Sequence, residues 1–137
     1  MKILIDTNVL LDVIVKREPY FADSEKIISM CAENKINGYI ASHSVMNIFY
    51  ILRKSHTSKE RRKILLDLCK IFNVVGIDRY KIINALENER FDDMEDCLQS
   101  ECANSCQADY IITRNTKDFS ESKILAIEPK KFIELLF

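Results

Sequence analysis

Carboxylates gather at two places in this chain in a pattern suited to holding a cation. Asp6 closes the apolar run Ile3-Leu4-Ile5 and is followed by Thr7 and Asn8. A carboxylate at the end of a short buried strand occupies the position where open α/β sheets build ligand sites. Far downstream, Asp92, Asp93, Glu95 and Asp96 fall within five consecutive positions. A helix cap accounts for Asp6 taken alone, and the helix dipole favours one or two acids in a first turn, but four exceed that need. If the two places meet in space, like charges repel unless a cation joins them. Asp93 and Asp96 are three apart and share one helix face, with Asp92 and Glu95 as an offset pair. A third polar run, Thr113-Arg114-Asn115-Thr116-Lys117-Asp118, again follows an apolar segment. Thr113, Asn115 and Asp118 can face the pocket of Asp6 if their strands are neighbours, while Arg114 and Lys117 read as solvated surface charges.

The rest of the composition narrows the choice of metal. There are two histidines, His43 and His56, and five cysteines with no Cys-x-x-Cys pair. Histidine-rich centres, zinc knuckles and disulfide frameworks are thereby excluded, and the thiols are expected to be free and buried. A centre made of oxygen ligands favours Mg2+ or Mn2+. Both histidines read as structural, since neither has a visible partner for acid–base work. With two glycines in the chain, neither a Walker loop nor a dinucleotide fingerprint can be written. A phosphatase using Asp6 as nucleophile wants an acid two residues on, where Asn8 stands.

Charge is unevenly spread although the net is −1. Arg53, Lys54, Lys59, Arg61, Arg62 and Lys63 against Glu60 make residues 53–63 locally +5, whereas residues 87–101 are locally −6. A basic patch beside a metal-binding acid cluster suits a polyanionic substrate, and Arg53, Lys54, Arg61 and Arg62 are the candidates for contact with its backbone.

These residues need elements to hold them. Continuous apolar runs at 2–5, 38–41, 74–77, 109–112 and 124–127 read as strands of a parallel sheet covered on both faces. Between them, Val45, Ile48, Phe49 and Leu52 follow helical spacing with Ser42 or Ser44 as cap; Ile64, Leu65 and Leu68 mark a further helix, and Ile82, Ile83 and Leu86 another that Asp78 caps. A helix from the acid cluster runs to Cys106, and a last one begins near Pro129 and buries Phe132, Ile133 and Leu136. The 137 residues are expected to form one α/β domain, a three-layer α/β/α sandwich around a parallel sheet of about five strands. No apolar run approaches the ~18 residues a membrane span requires, so no membrane association is expected and a cytoplasmic location is.

The segments IDTNVLLD, SHSVMNIFYILRK, DDMEDCLQSECA and YIITRNTKDF, in this order and spacing, resemble a PIN domain. That metal-dependent ribonuclease fold includes the VapC-type toxins of toxin–antitoxin pairs, and the likeness spans nearly the whole chain. The resemblance implies acids gathered at the carboxyl ends of a parallel sheet, Mg2+ or Mn2+ as cofactor, and hydrolysis of RNA to a 5′-phosphate and a 3′-hydroxyl. It implies an RNA substrate, an antitoxin protein as partner, and pairing into a homodimer through apolar residues near Ile14 or Phe49. Asp6 matches the family's first acid and Asp96 its third, with Asp93 in support and Asn115 or Asp118 at the fourth position. The second acid, usually Glu, falls on Asn47, which can coordinate through its amide oxygen without charge. Asn8, Asn47, Thr113 and Asn115 would then orient ligands and water around Asp6, Asp93, Asp96 and Asp118. The alternative is a PIN fold whose weakened site serves RNA or protein binding alone.

Overall fold

The computed structural model describes residues 1–137. Five strands, β1 (Lys2–Ile5), β2 (Asn37–Ala41), β3 (Asn73–Val75), β4 (Tyr110–Ile112) and β5 (Ala126–Ile127), form one parallel sheet in the order β3-β2-β1-β4-β5. The helices are α1 (Thr7–Ile14), α2 (Phe21–Ala32), α3 (Ser42–Ile51), α4 (Ser58–Ile71), α5 (Arg79–Glu87), α6 (Met94–Ser105) and α7 (Pro129–Leu136). Short 3-10 turns at Leu52–Lys54 and Thr116–Phe119 complete the chain. No helix is long and apolar enough to cross a membrane.

The pleat of β1 explains the layering. Side chains alternate along a strand, so Ile3 and Ile5 enter a cluster with Val9, Leu10, Ile27, Ile48, Leu65 and Phe132, drawn from α1, α2, α3, α4 and α7. Leu4, between them, packs on the other face with Cys102 and Ala103 of α6 and with Phe119. Both faces are covered, which is the three-layer α/β/α arrangement around a parallel sheet. Of the five free thiols, Cys31, Cys97 and Cys102 are buried, Cys106 is half-buried and Cys69 on α4 is exposed. Burial pushes the Cys31 and Cys102 thiols up to about 12.

Two local devices shape the helical layers. Gly38 on β2 permits close packing: a Cβ there would stand 2.6 Å from Phe72 Cδ1 and 2.8 Å from Cys31 Sγ. Helices α1, α2 and α6 each end with a left-handed residue that is not glycine, namely Lys16 (φ 54), Asn34 (φ 60) and Gln107 (φ 57). Each end closes with the two bonds of a Schellman turn; in α1 they run from Arg17 N to Asp12 O (2.9 Å) and from Lys16 N to Val13 O (3.4 Å).

Some expectations are displaced. The strand expected at 74–77 ends at Val75, and the one expected at 124–127 has two residues, both on sheet edges with one partner each. Ile82 and Leu86 are exposed because α5 turns Ala85 inward, against Cys97 and Leu98 of α6. No side chain caps α3, whose N-cap is Ala41. Ile14 and Phe49 pack against the core, and the exposed apolar residues near them are Val15, Met46, Tyr50 and Ile51.

Candidate metal centre

Strand order brings the first and third polar runs together. Ile5 pairs with Ile112, and Asp6 N continues the ladder to Ile112 O at 2.9 Å, so Asp6 and Thr113 leave neighbouring strands at the same level. Asp6 is 7% exposed and is the N-cap of α1. Its Oδ1 accepts Thr7 N at 2.7 Å; Oδ2 accepts Thr113 Oγ1 at 2.8 Å and Asn8 Nδ2 at 3.1 Å. Burial pushes its carboxyl up, against the pull of these hydrogen bonds, and the charge of Asp118 adds to the rise. Asp6 is therefore both a cap and a member of the acid cluster.

Helix α6 supplies most of the other acids. Asp93 is its N-cap, with Oδ1 accepting Glu95 N at 2.7 Å and Asp96 N at 3.2 Å. That capping fixes the first turn and directs Asp96 inward. Burial, followed by the charges of Asp93, Asp6, Asp118 and Glu95, pushes the Asp96 carboxyl up to about 7. Asp96 lines two adjoining cavities. One, of about 220 Å³, also presents Asp6, His43, Asn47, Glu95 and Asn115. The other, of about 240 Å³, presents Asp92, Asp93, Lys117 and Asp118.

Asn47 occupies the wall of the first cavity, where its Nδ2 donates to Glu95 Oε2 at 3.2 Å. The carboxylate on this wall is thus supplied from α6 and held by an amide from α3. Both Asn115 and Asp118 reach the cluster: Asn115 shares the cavity with Asp6, and the charge of Asp118 acts on Asp6 and Asp96 alike. His43 lies on the same wall with Nδ1 lacking a partner, and burial lowers its pKa. His56 meets Ser55 Oγ at 2.7 Å on the exposed side and lines neither cavity.

Behind Asp6 lies a polar plug that sequence reading missed. Gln99 of α6, 2% exposed, donates Nε2 to Ser44 Oγ at 2.8 Å and to Thr7 Oγ1 at 3.3 Å, and Thr7 donates to Ser44 at 2.8 Å. The available signal was a buried-side glutamine three residues after Asp96. Gln99 Oε1 has no partner and its side chain borders the cavity of Asp6.

The basic candidates are placed elsewhere. Arg53 lies over the Tyr50 ring (3.7 Å) and donates to Tyr50 O; Arg61 lies over the Phe49 ring (4.1 Å) and donates to Phe49 O. Neither they nor Lys54 nor Arg62 lines the two acid cavities. The arginine on the wall of the first cavity is Arg17.

The donor set fits a hard divalent cation. It is made of carboxylate and amide oxygens, burial and then the neighbouring acids push one carboxyl up to about 7, and a buried amide oxygen on the cavity wall is unpartnered. No three His, Cys, Asp or Glu side chains form a ready cage, so the acids are within electrostatic reach without being collapsed onto one point.

Comparison with known proteins bears on the family and the fold. A family profile described as "PIN domain" matches residues 2–117. Ribonuclease VapC1 of Aquifex aeolicus is 26% identical over 140 residues, covering 97% of this chain and 94% of that protein. Among solved structures, VapBC2 from Rickettsia felis bound to a DNA fragment from its promoter superposes with a TM-score of 0.69 at 18% identity, over 93% of this chain and 98% of that one. A toxin–antitoxin complex from Klebsiella pneumoniae gives 0.68 at 21% identity, over 92% and 96%.

Proposed function

The chain belongs to the PIN domain family, and from that premise we propose that it is a metal-dependent endoribonuclease, the toxin of a toxin–antitoxin pair. The observation that carries the reading is geometric: Asp6 from the end of β1 and Glu95 and Asp96 from the first turn of α6 line one cavity, Asp93 and Asp118 line the adjoining one with Asp96, and burial with these four neighbours raises the Asp96 carboxyl to about 7. Such crowding disfavours the charged form unless a cation enters.

Asp6, Asp96 and Asp93 would hold Mg2+ or Mn2+, with Glu95 and Asp118 in reach. When bound, that cation supplies Lewis acidity, lowering the pKa of water and balancing charge on the phosphoryl group. The protein's own part is orientation. Thr113, Asn8 and the Thr7 backbone fix both oxygens of Asp6; Asn47 fixes Glu95; Asp93 fixes the turn that presents Asp96. Asn115 and Asp118 follow Thr113 on the same strand exit and would position water beside the scissile phosphate.

The alternative, an RNA- or protein-binding module with a weakened site, is favoured by the amide of Asn47 where the family has an acid. Calorimetric titration with Mn2+ and cleavage of labelled single-stranded RNA separate the two, with Asp6→Asn as control. The enzyme reading expects wild-type binding and cleavage, both lost in the variant. A wild type that neither binds Mn2+ nor cuts RNA sinks it.

An antitoxin partner and a second copy of the chain would both need apolar surface. Met46, Tyr50 and Ile51 on α3 are exposed, and Ile51 borders the cavity of Asp6. Light scattering on the purified chain tests the pairing of copies.

A further inference from the structure

Asp12 on α1 is fully buried, and a buried carboxylate persists only when paired and hydrogen-bonded. Arg114 meets it with a fork: Nε donates to Oδ2 at 2.6 Å and Nη2 donates toward Oδ1 at 3.2 Å. Arg17 Nη1 approaches Oδ1 at 3.6 Å, an ion pair looser than a hydrogen bond. One negative charge thus anchors two positive ones and leaves a surplus cation.

Both arginines are held at the backbone as well. Arg17 N closes the Schellman turn of α1 onto Asp12 O, and Arg114 N donates to Asn8 Oδ1 at 3.4 Å. The guanidinium of Arg114 also lies over the Tyr20 ring at 4.1 Å. Their free donors open on different spaces. Arg17 borders the cavity of Asp6 and Asp96. Arg114 borders a larger one, about 540 Å³, with Tyr20 and Lys130 and with the carboxylates of Asp23 and Glu128. Asn115 lines both, so the two cavities adjoin.

An acid cleft repels a polyanion, so cations must stand at fixed places beside it. Arg53 and Arg61 line neither acid cavity, whereas Arg17 lines the first. We infer that Asp12 is a positioning residue that aims Arg17 and Arg114 at successive phosphates of one RNA strand, Arg17 inside the acid cleft and Arg114 in the adjoining cavity beside Tyr20. The inference rests on RNA being the substrate. It places the strand across α1 and the exit of β4, and Arg114 is offset by one residue from Thr113, which holds Asp6.

The test is anisotropy of a short fluorescein-labelled single-stranded RNA, titrated in EDTA across a range of KCl, with cleavage in Mn2+ measured separately. Arg17→Gln and Arg114→Gln are each expected to weaken binding roughly tenfold, the worth of one charge-assisted hydrogen bond, and to flatten the log–log salt slope by about 0.7. In cleavage they are expected to raise KM and leave kcat near the wild-type value. Asp12→Asn makes the protein more positive, so a general electrostatic role predicts tighter binding; the positioning role predicts weaker binding. Circular dichroism checks that the variants fold, and should Asp12→Asn unfold, the two arginine variants decide. Wild-type cleavage together with unchanged affinity, slope and KM in the arginine variants overturns the inference and leaves the ribonuclease reading standing. Flattened slopes without any cleavage support the inference and overturn the enzyme. A wild type that binds no RNA overturns both.

Discussion

Asn47 Nδ2 donates to Glu95 Oε2 across the mouth of the cavity that holds Asp6 and Asp96. A neutral side chain on one helix therefore holds a charged one from another at the acid cleft. Groups that orient ligands typically affect metal affinity 10- to 100-fold. Asn47→Ala is expected to weaken Mn2+ binding by about that factor, and Glu95→Gln at least as much, measured by calorimetry. Full affinity in both variants would remove Glu95 from the cleft's working set.

Asp96 also makes stability depend on pH. Its folded carboxyl titrates at about 7, whereas an unfolded Asp titrates near 4. Between about pH 4 and 7 the folded state holds a proton that the unfolded chain has released, so metal-free stability falls as pH rises through that window and levels above it. Asp6 is shifted in the same direction. Glu60, Asp67 and Asp78 are shifted down, and their contribution is lost only as pH falls below the ordinary carboxylate range. His43, shifted down by burial, acts in the opposite direction over the lower part of this window, so the contribution of Asp96 is read against Asp96→Asn: in thermal melts in EDTA the Tm of the wild type should fall relative to that of the variant between pH 5 and pH 8. Mn2+ should bind more tightly above pH 7, where no proton has to leave first.

Gly38 is expected to reject even a methyl group. The Cβ of Gly38→Ala would meet Phe72 and Cys31 at under 3 Å, and overpacking of this kind costs about 1–3 kcal/mol. Urea denaturation should show a lower midpoint at unchanged slope, and an unshifted midpoint would mean that the Phe72 ring yields freely.

Lys16 offers the opposite case. Its left-handed backbone carries a penalty of about 1–2 kcal/mol for a residue with a Cβ. Lys16→Gly relieves it at some cost in unfolded-chain entropy. A net gain of roughly 1 kcal/mol is expected in urea, and a loss would show that the Lys16 side chain contributes contacts worth more than the strain.

What could be read in advance follows from which forces are local. The strands were legible because a sheet covered on both faces demands unbroken apolar runs, and 2–5 and 109–112 supply them. Asp6, Asp93 and Asp96 were legible because strand ends and helix starts are marked in sequence. The sheet order was not written locally, and neither was the amide of Asn47 reaching Glu95. Arg114 read as a solvated charge because its partners, Asp12 and Tyr20, lie about a hundred residues earlier. Ser44 read as a helix cap, but Gln99 and Thr7 claim its hydroxyl. Ile82 and Leu86 fit a buried face by spacing, yet α5 packs on its Ala85 side. Each miss is a long-range contact overriding a local preference.

The central place of β1 bears on how the protein is made. Its two neighbours in the sheet are β2 and β4, and β4 lies in the last third of the chain. A nascent polypeptide stalled before Tyr110 carries Asp6 without the hydroxyl of Thr113, and β1 with one edge unpaired. The cleft is completed only when translation is nearly finished, so a fragment released early by the ribosome lacks one wall of it.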